Sequence, residues 1–412
     1  MTGLADVVVI GGGIIGMSTA FQIARRSRLR VIVLEKGVGP GEGSTGSSSA
    51  VCRFRYSYPE IVQLARDGIA AYQHWPDFLE RADPFARFQR IGALWLSESP
   101  DWAVLEAERL SGLGVRAAAL DDDALVEAFP AIHPCIVPPD LATGEDHLCR
   151  GGGRHLLELD GGYMDPVDAL QDLIAAARGR GVDVRFASPV CGLDQTGGSV
   201  TGVRLEDGST IACGAVVLAA GPWCNALLDQ VGLGDRWPLE PTRIQMIHID
   251  RPAEVKSDLP ACIDMPAGIY FRPQNRGQQI ILGSVLGEDE LEAVADPDDF
   301  ARHADDDFIR PKLHALQHRL RLDTLRGKIS SYSGLYTVNR ADMHPIVGET
   351  PVSGFYVANG CSGHGFKLAP AIGALLARRI TGEADAFDTA MDPSFLAFDR
   401  EPIALAAMNV LA

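Results

Sequence analysis

Short apolar runs alternate with longer amphipathic stretches along most of the chain. Val7-Val8-Val9-Ile10 is β-branched and uninterrupted, the pattern of a strand buried on both faces. An apolar, helix-compatible segment from Met17 to Ala24 follows, then a second strand, Arg30 to Leu34. Helical periodicity runs from about Pro59 to Arg81 and from Asp101 to Leu113, on either side of an apolar strand, Ile91 to Leu96. The acids Asp121-Asp122-Asp123 open another short helix, where they favour the positive end of the dipole. Val167 to Arg180 is an amphipathic helix and Val182 to Phe186 a strand. Val200 to Leu205 and Thr210 to Ala212 flank Asp207-Gly208, a strong hairpin signal. Ala215 to Ala219, Ile244 to Ile249, Ile269 to Arg272, Gln279 to Leu282 and Gly354 to Asn359 read as further strands. Asp298 to Leu320 reads as a helix, and a last helix is expected to start at Pro370 and end at Gly382.

The order of these elements divides the chain. Strand–helix units with glycine turns lie at the start, around 160–235 and near the end. The stretches between lack phosphate-type glycine signatures and read as a second domain inserted into the first. The expected division is 1–84, 160–235 and 330–412 for one domain, and 85–159 and 236–329 for the other. Cys149-Arg150-Gly151-Gly152-Gly153-Arg154 reads either as a mobile loop over a site or as a surface hairpin. The tail after Pro393 is expected to be a capping segment.

With 412 residues, 46% hydrophobic and 22% charged, the chain has an ordinary globular balance. Its net charge of −17 disfavours nucleic acid and anionic membranes as partners. It leaves an anionic small substrate open, because local cations decide that. No apolar run approaches a membrane span, and the N-terminus leads straight into the first strand, so neither an anchor nor a signal peptide is expected. Eight cysteines (52, 135, 149, 191, 213, 224, 262, 361) include no C-x-x-C pair. They are expected to be reduced thiols of a cytoplasmic protein, with no metal site.

The first strand runs into Gly11-Gly12-Gly13-Ile14-Ile15-Gly16, a G-x-G-x-x-G turn that opens a helix. Gly11 lets the chain turn, Gly13 lets a pyrophosphate approach the backbone, and Gly16 lets the helix pack closely on the strand. The helix N-terminus offers N–H groups to phosphate. Glu35 ends the second strand, 19 residues after Gly16, near the offset at which an acid meets ribose hydroxyls. Dinucleotide binding follows, but the motif does not choose between NAD and FAD. Residues Gly37 to Ala50 are small and polar. They read as a flexible linker or as a loop that wraps a cofactor, with Ser44 and Thr45 donating to phosphate, and the position just after the acid favours the second reading.

Six stretches together resemble the D-amino-acid oxidase superfamily of FAD enzymes. They are GGGIIG at 11–16, GSTG at 43–46, GGYMDPVDAL at 161–170, VVLAAGPW at 216–223, GLYTVNRADMHPIVG at 334–348 and GCSGHGFKLAPAIGALLA at 360–377. Within that superfamily the chain is similar to the sarcosine oxidase and glycine oxidase branch, including the flavin β-subunit of heterotetrameric sarcosine oxidase. The resemblance covers nearly the whole chain. It implies an α/β plus α+β protein, in which a discontinuous Rossmann-like FAD-binding domain carries an inserted antiparallel-sheet substrate domain. It also implies FAD rather than NAD, with the second glycine-rich turn and its helix N-terminus beside the isoalloxazine. Cofactor contacts would come from Gly11, Gly13, Ile14, Ile15, Gly16, Glu35, Lys36, Ser44, Thr45, Val190, Ala220, Gly221, Trp223, Gly334, Gly363, His364, Gly365, Phe366 and Lys367.

The same resemblance makes Arg53, in VCRFRY, and Lys367, in GHGFK, the carboxylate-binding pair. A guanidinium matches a carboxylate in two-pronged geometry, and a lysine before a buried helix is costly unless it faces a cavity. A surface arginine or a structural ion pair is the alternative for Arg53. His364 lies between glycines and is expected near the flavin or substrate. Tyr270 and Arg272 share the strand GIYFRP, which in the family faces the flavin or substrate; core packing and a surface role are their alternatives. The implied activity is oxidation of the C–N bond of a small, N-substituted amino acid, with hydride passing to flavin N5 and the imine hydrolysing. The rivals are a 2-hydroxy-acid dehydrogenase and a flavoprotein subunit or assembly factor that needs a partner; a homo-oligomer is also open. FAD is expected to be held without a covalent bond. Where relatives carry C-M-Y-T, this chain has Gly334-Leu335-Tyr336-Thr337, no cysteine lies between Cys262 and Cys361, and the first histidine is His74.

Overall fold

The computed structural model describes residues 2–145, 147–405 and 411, and their strands form four sheets. One has six strands in the order Asp183–Arg185, Val31–Leu34, Val7–Ile10, Ala215–Leu218, Phe355–Asn359, Ile346–Glu349. The first five are parallel and the last is antiparallel. Val7–Ile10, Val31–Leu34 and Phe355–Asn359 are buried along their whole length. Uninterrupted apolar runs require that of a parallel sheet with covered faces. The helix Ile14–Arg26 packs against the C-terminal helix Gly365–Thr381. Gly373 makes the approach possible: a Cβ there would lie 2.7 Å from the Ser18 carbonyl carbon.

The largest sheet has eight strands: Ile329–Asn339, Leu239–Asp250, Gln279–Ser284, Ile269–Gln274, Ala261–Asp264, Ala93–Leu96, Arg154–Glu158, Ala117–Asp121. Every pairing in it is antiparallel except that of Ala261–Asp264 with Ala93–Leu96. Across that one parallel seam, the two stretches without phosphate-type glycines build a single sheet. Ile329–Asn339 continues in it past the expected boundary at 330. A four-stranded sheet holds the expected hairpin, closed by Gly208 at φ +83°. Val51–Cys52, Gly162–Tyr163 and Gln89–Arg90 form a three-stranded strip.

Three helical expectations change. The helix expected over 59–81 is two, Pro59–Gln73 and Trp75–Leu79, broken at His74. Pro76 has no N–H for the Tyr72 carbonyl. The helix expected from Asp298 begins only at Asp306. Asp298 instead pairs with Lys36 Nζ at 2.6 Å and Asp305 with Arg243 Nη1 at 2.8 Å, which ties 298–305 to other parts of the chain. The last helix starts at Gly365, so Pro370 lies inside it. The Phe366 carbonyl that residue 370 would satisfy accepts the Tyr72 hydroxyl instead, at 2.8 Å. The tail is described to residue 405 and at Leu411. Within it Phe398 is buried and its carbonyl accepts Trp237 Nε1–H at 2.8 Å. The rest of the expected capping tail lies outside the described residues. No described helix is long and apolar enough to cross a membrane.

Candidate active site

The three motif glycines have different surroundings. Gly11 sits at φ +106°, and a Cβ on it would lie 2.4 Å from the Ala219 carbonyl oxygen. A Cβ on Gly16 would lie 2.0 Å from the Gly11 carbonyl oxygen. The fold itself requires both. Gly13 has φ −72°, and its Cβ would meet only Thr45 Oγ1, at 3.1 Å. The helix that starts next to it has no acid in its first turn. This is a cradle that a pyrophosphate fits and that a larger side chain would fill.

Several of the other expected cofactor residues are linked to this turn by hydrogen bonds and packing. Ile14 N–H donates to Thr45 Oγ1 at 3.0 Å. The Glu35 carboxylate accepts from Gly12 N–H at 2.7 Å and Gly37 N–H at 2.8 Å, which holds the acid against the turn. Ala220 and Gly221 follow the strand beside Gly11, and the Gly221 carbonyl accepts from Asn359 at 2.9 Å. A Cβ on Gly365 would lie 3.3 Å from Ile15 Cδ1, so the two glycine-rich turns touch. Lys36 lies over the Trp223 ring at 4.5 Å, and both side chains bind Asp298. Phe366 stacks on Tyr72 with centroids 4.9 Å apart. Val190 pairs with Leu205 in the four-stranded sheet and packs on the cluster that holds Ile10 and Leu34, two residues after Ser188, whose N–H donates to the Glu35 carbonyl at 2.9 Å.

A cavity of about 660 Å³, counting its open mouth, is lined by Arg53, Tyr270, Tyr336, Gly363, His364 and Lys367 among others. A smaller one of about 260 Å³ shares Ser49, Ile244, Tyr270 and Tyr336 with it and reaches Ser44 and Gly334. The space therefore continues from the side lined by Arg53 and Lys367 toward the 37–50 loop, where Ser44 Oγ donates to the Leu335 carbonyl at 2.6 Å. Four of the five residues expected to act on substrate share the larger cavity. Arg272 lines neither. It is fully buried over the Tyr163 ring at 4.0 Å, and its Nε donates to the Ser49 carbonyl at 2.5 Å. It fixes the backbone just before Val51–Cys52. Burial lowers its pKa to about 10.

Local packing places the cations. Arg53 leaves the short strand Val51–Cys52 between the rings of Tyr56 at 4.3 Å and Trp95 at 5.2 Å. Lys367 lies in the first turn of the C-terminal helix. Gly68 on Pro59–Gln73 lets that helix approach: a Cβ there would be 2.3 Å from the Lys367 carbonyl oxygen. Ser362, at φ +44°, ties the turn to the strand Ile329–Asn339, donating its N–H to the Thr337 carbonyl at 3.0 Å and accepting Asn339 N–H at 3.0 Å. Burial, with Arg53 nearby, lowers the Lys367 pKa to about 7. Two buried cations thus converge on one cavity, and each makes the other more costly in the absence of an anion. His364 is buried with its ring 5.0 Å from Tyr56.

One contributor is absent from the sequence reading. Glu158, fully buried at the end of Arg154–Glu158, accepts Phe54 N–H at 2.5 Å, Arg55 N–H at 3.2 Å and Trp95 Nε1–H at 2.7 Å. It holds both the backbone after Arg53 and the indole that stacks on it. Burial raises its pKa against these hydrogen bonds and the Arg53 charge. The available signal was an acid at the end of the apolar run Leu156-Leu157.

Comparison with known proteins gives the family. The family model described as DAO, FAD dependent oxidoreductase, matches residues 6–379. FAD-dependent oxidoreductase domain-containing protein 1 of Mus musculus is 28% identical, over 90% of this chain and 80% of the relative. Glycine oxidase of Pseudomonas putida is 30% identical, over 68% of this chain and 71% of the relative. The crystal structure of L-proline dehydrogenase from P. horikoshii superposes with a TM-score of 0.79 at 21% identity, covering 97% of this chain and 98% of that one.

Proposed function

We propose, because this chain belongs to the DAO family of FAD-dependent oxidoreductases, that it oxidises the C–N bond of a small carboxylate-bearing amine. The observation that carries this reading is the convergence of Arg53 and Lys367, both buried, on one cavity with Tyr270 and His364. Glycine oxidase among the relatives supports the substrate class. The turn at Gly11, Gly13 and Gly16 would hold the pyrophosphate of FAD, Glu35 the ribose, and the turn around Gly363 the ring end. When bound, FAD supplies the two-electron acceptor for a hydride that leaves the carbon next to nitrogen.

Arg53 and Lys367 bind the substrate carboxylate and so set the orientation of that carbon. The nitrogen lone pair stabilises the developing iminium, so a neutral amine needs no strong base. The imine released hydrolyses in water. Tyr270, Tyr336 and His364 wall the cavity and exclude solvent from the reacting bond. An N-substituted amino acid is the favoured substrate. His364 in the wall is also a group able to take a hydroxyl proton, which makes a 2-hydroxy acid the second reading.

The test is anaerobic bleaching of the bound flavin with N-methyl, cyclic and D-amino acids and with 2-hydroxy acids. Bleaching by an amine is expected, and bleaching by hydroxy acids alone overturns the reading. If the isolated chain bleaches with none of them while its native mass includes a second protein, it is a subunit that works with a partner.

A further inference from the structure

The long connection 129–153, between the helix Asp122–Ala128 and the strand Arg154–Glu158, carries two His-x-Cys pairs. These are His133-Pro134-Cys135 and His147-Leu148-Cys149. The structure folds them onto each other and onto His318, in the last turn of the helix Asp306–Leu320. One ligand atom from each of His133, Cys135, Cys149 and His318 lies within 4.8 Å of all the others. Cys149 Sγ is 3.9 Å from His133 Nδ1. A tetrahedral zinc ion, with Zn–S about 2.3 Å and Zn–N about 2.0–2.1 Å, puts its ligand atoms roughly 3.3–3.8 Å apart. Closing the cluster onto such an ion therefore needs only small side-chain movements.

The backbone around the four residues is already fixed. Arg319, next to His318, is fully buried and paired with the equally buried Asp264. Its Nη1 donates to the His133 and Cys135 carbonyls, the latter at 2.9 Å, while His133 N–H donates to the Arg319 carbonyl at 2.9 Å. Ile136 N–H donates to the Arg150 carbonyl at 2.9 Å and holds the two arms side by side. Val137 N–H points at Cys135 Sγ at 3.4 Å, a donor that suits a thiolate. His147 Nε2 lies 3.3 Å from Cys135 Sγ, beside the cluster.

We propose that His133, Cys135, Cys149 and His318 bind a single zinc ion. Two thiolates cancel the charge of the ion, and a two-sulfur, two-nitrogen set is a zinc set. Four protein ligands leave no open position, so the ion is structural. It crosslinks the 129–153 connection to one end of Asp306–Leu320. Phe308, near the other end of that helix, lines the substrate cavity. Ten residues of helix separate the two, about 15 Å. Such an ion departs from the expectation of eight plain thiols, and its signal in the sequence is the repeated His-x-Cys spacing.

The experiment is elemental analysis of flavin-loaded protein, purified without a histidine tag or chelator from zinc-supplemented medium. About one zinc per chain is expected, falling below about a tenth in Cys135→Ser and Cys149→Ser. Cys149 is exposed, so that variant is expected to keep its flavin and its circular dichroism. Cobalt added to metal-free protein should give the intense visible bands of a tetrahedral site and a thiolate charge-transfer band. Zinc-free wild type that also fails to take up cobalt in this form overturns the proposal. So does zinc content unchanged in Cys149→Ser, or a Cys135–Cys149 disulfide in protein isolated without oxidant.

Discussion

At the scale of single residues, the charge state of Lys367 matters most. With its pKa lowered to about 7, the lysine is half neutral at neutral pH in the free protein. A carboxylate bound beside it favours the protonated form, so binding takes up a proton. The sign follows from linkage: the Kd for an amine-free carboxylate such as propionate rises with pH above about 7, by at most tenfold per unit for one proton. Lys367→Met should remove that slope, and titration calorimetry in two buffers reads the proton directly. Arg53→Ala should weaken the same ligand by roughly 1.5–3 kcal/mol while flavin content stays normal. Glu158 acts through others. Glu158→Gln puts an NH2 group among three donors, at about 1–3 kcal/mol of stability by urea denaturation. Because it loosens Arg53, KM should rise more than kcat falls; equal loss in both would make Glu158 merely a core residue. Arg53 and Lys367 were legible because each sits in a short motif. Glu158 was not, because its partners lie 63 and more residues away in sequence.

At the scale of elements, the glycine turn separates fold from function. Gly13→Val should fold and bind no flavin, since only the Thr45 hydroxyl meets the first added carbon. Gly16→Ala should fail to fold, because its methyl would meet the Gly11 carbonyl. Circular dichroism with flavin absorbance distinguishes them, and flavin-loaded Gly13→Val would refute the placement. The tight packing at Gly11 and Gly16 could be read from the spacing. The C-terminal helix could not be read correctly, since Pro370 conventionally marks a start. Its interior position depends on Tyr72, nearly three hundred residues earlier. Tyr72→Phe should therefore cost about 1–3 kcal/mol by leaving the Phe366 carbonyl bare. Pro370→Ala restores an N–H to that carbonyl and should recover most of the loss, a coupling that a double-mutant cycle measures. The helix at 298 failed for a similar reason: ion pairs to Lys36 and Arg243 outweigh local periodicity.

For the whole molecule, the layered plan was visible in the alternation of strand–helix units with stretches that lack phosphate-type glycine turns. The seam between Ala93–Leu96 and Ala261–Asp264 was not, because nothing local encodes a parallel pairing across such a distance. The two glycine-rich turns that the same long-range gathering brings into contact are proposed to hold FAD without a covalent bond. Acid precipitation should leave the yellow colour in the supernatant and the pellet colourless. A fluorescent flavin band on a denaturing gel would show a bond, and would require the residues around Gly360 to Lys367 to be aligned afresh.

The placement of Phe355–Asn359 between Ala215–Leu218 and Ile346–Glu349 has a consequence for biosynthesis. When the ribosome has released Ala215–Leu218, that strand can pair with Val7–Ile10, but its other edge stays bare until Phe355–Asn359 emerges. At roughly 5–20 residues per second the wait is on the order of ten seconds. Throughout it, an apolar Val-Val-Leu edge is open to any passing strand. The helix that carries Lys367 is made later still, so the nascent protein completes the cavity between Arg53 and Lys367 last. A chain stalled before residue 355 is thus a natural client for chaperones, whereas one that finishes closes its sheet and its candidate site in the same event.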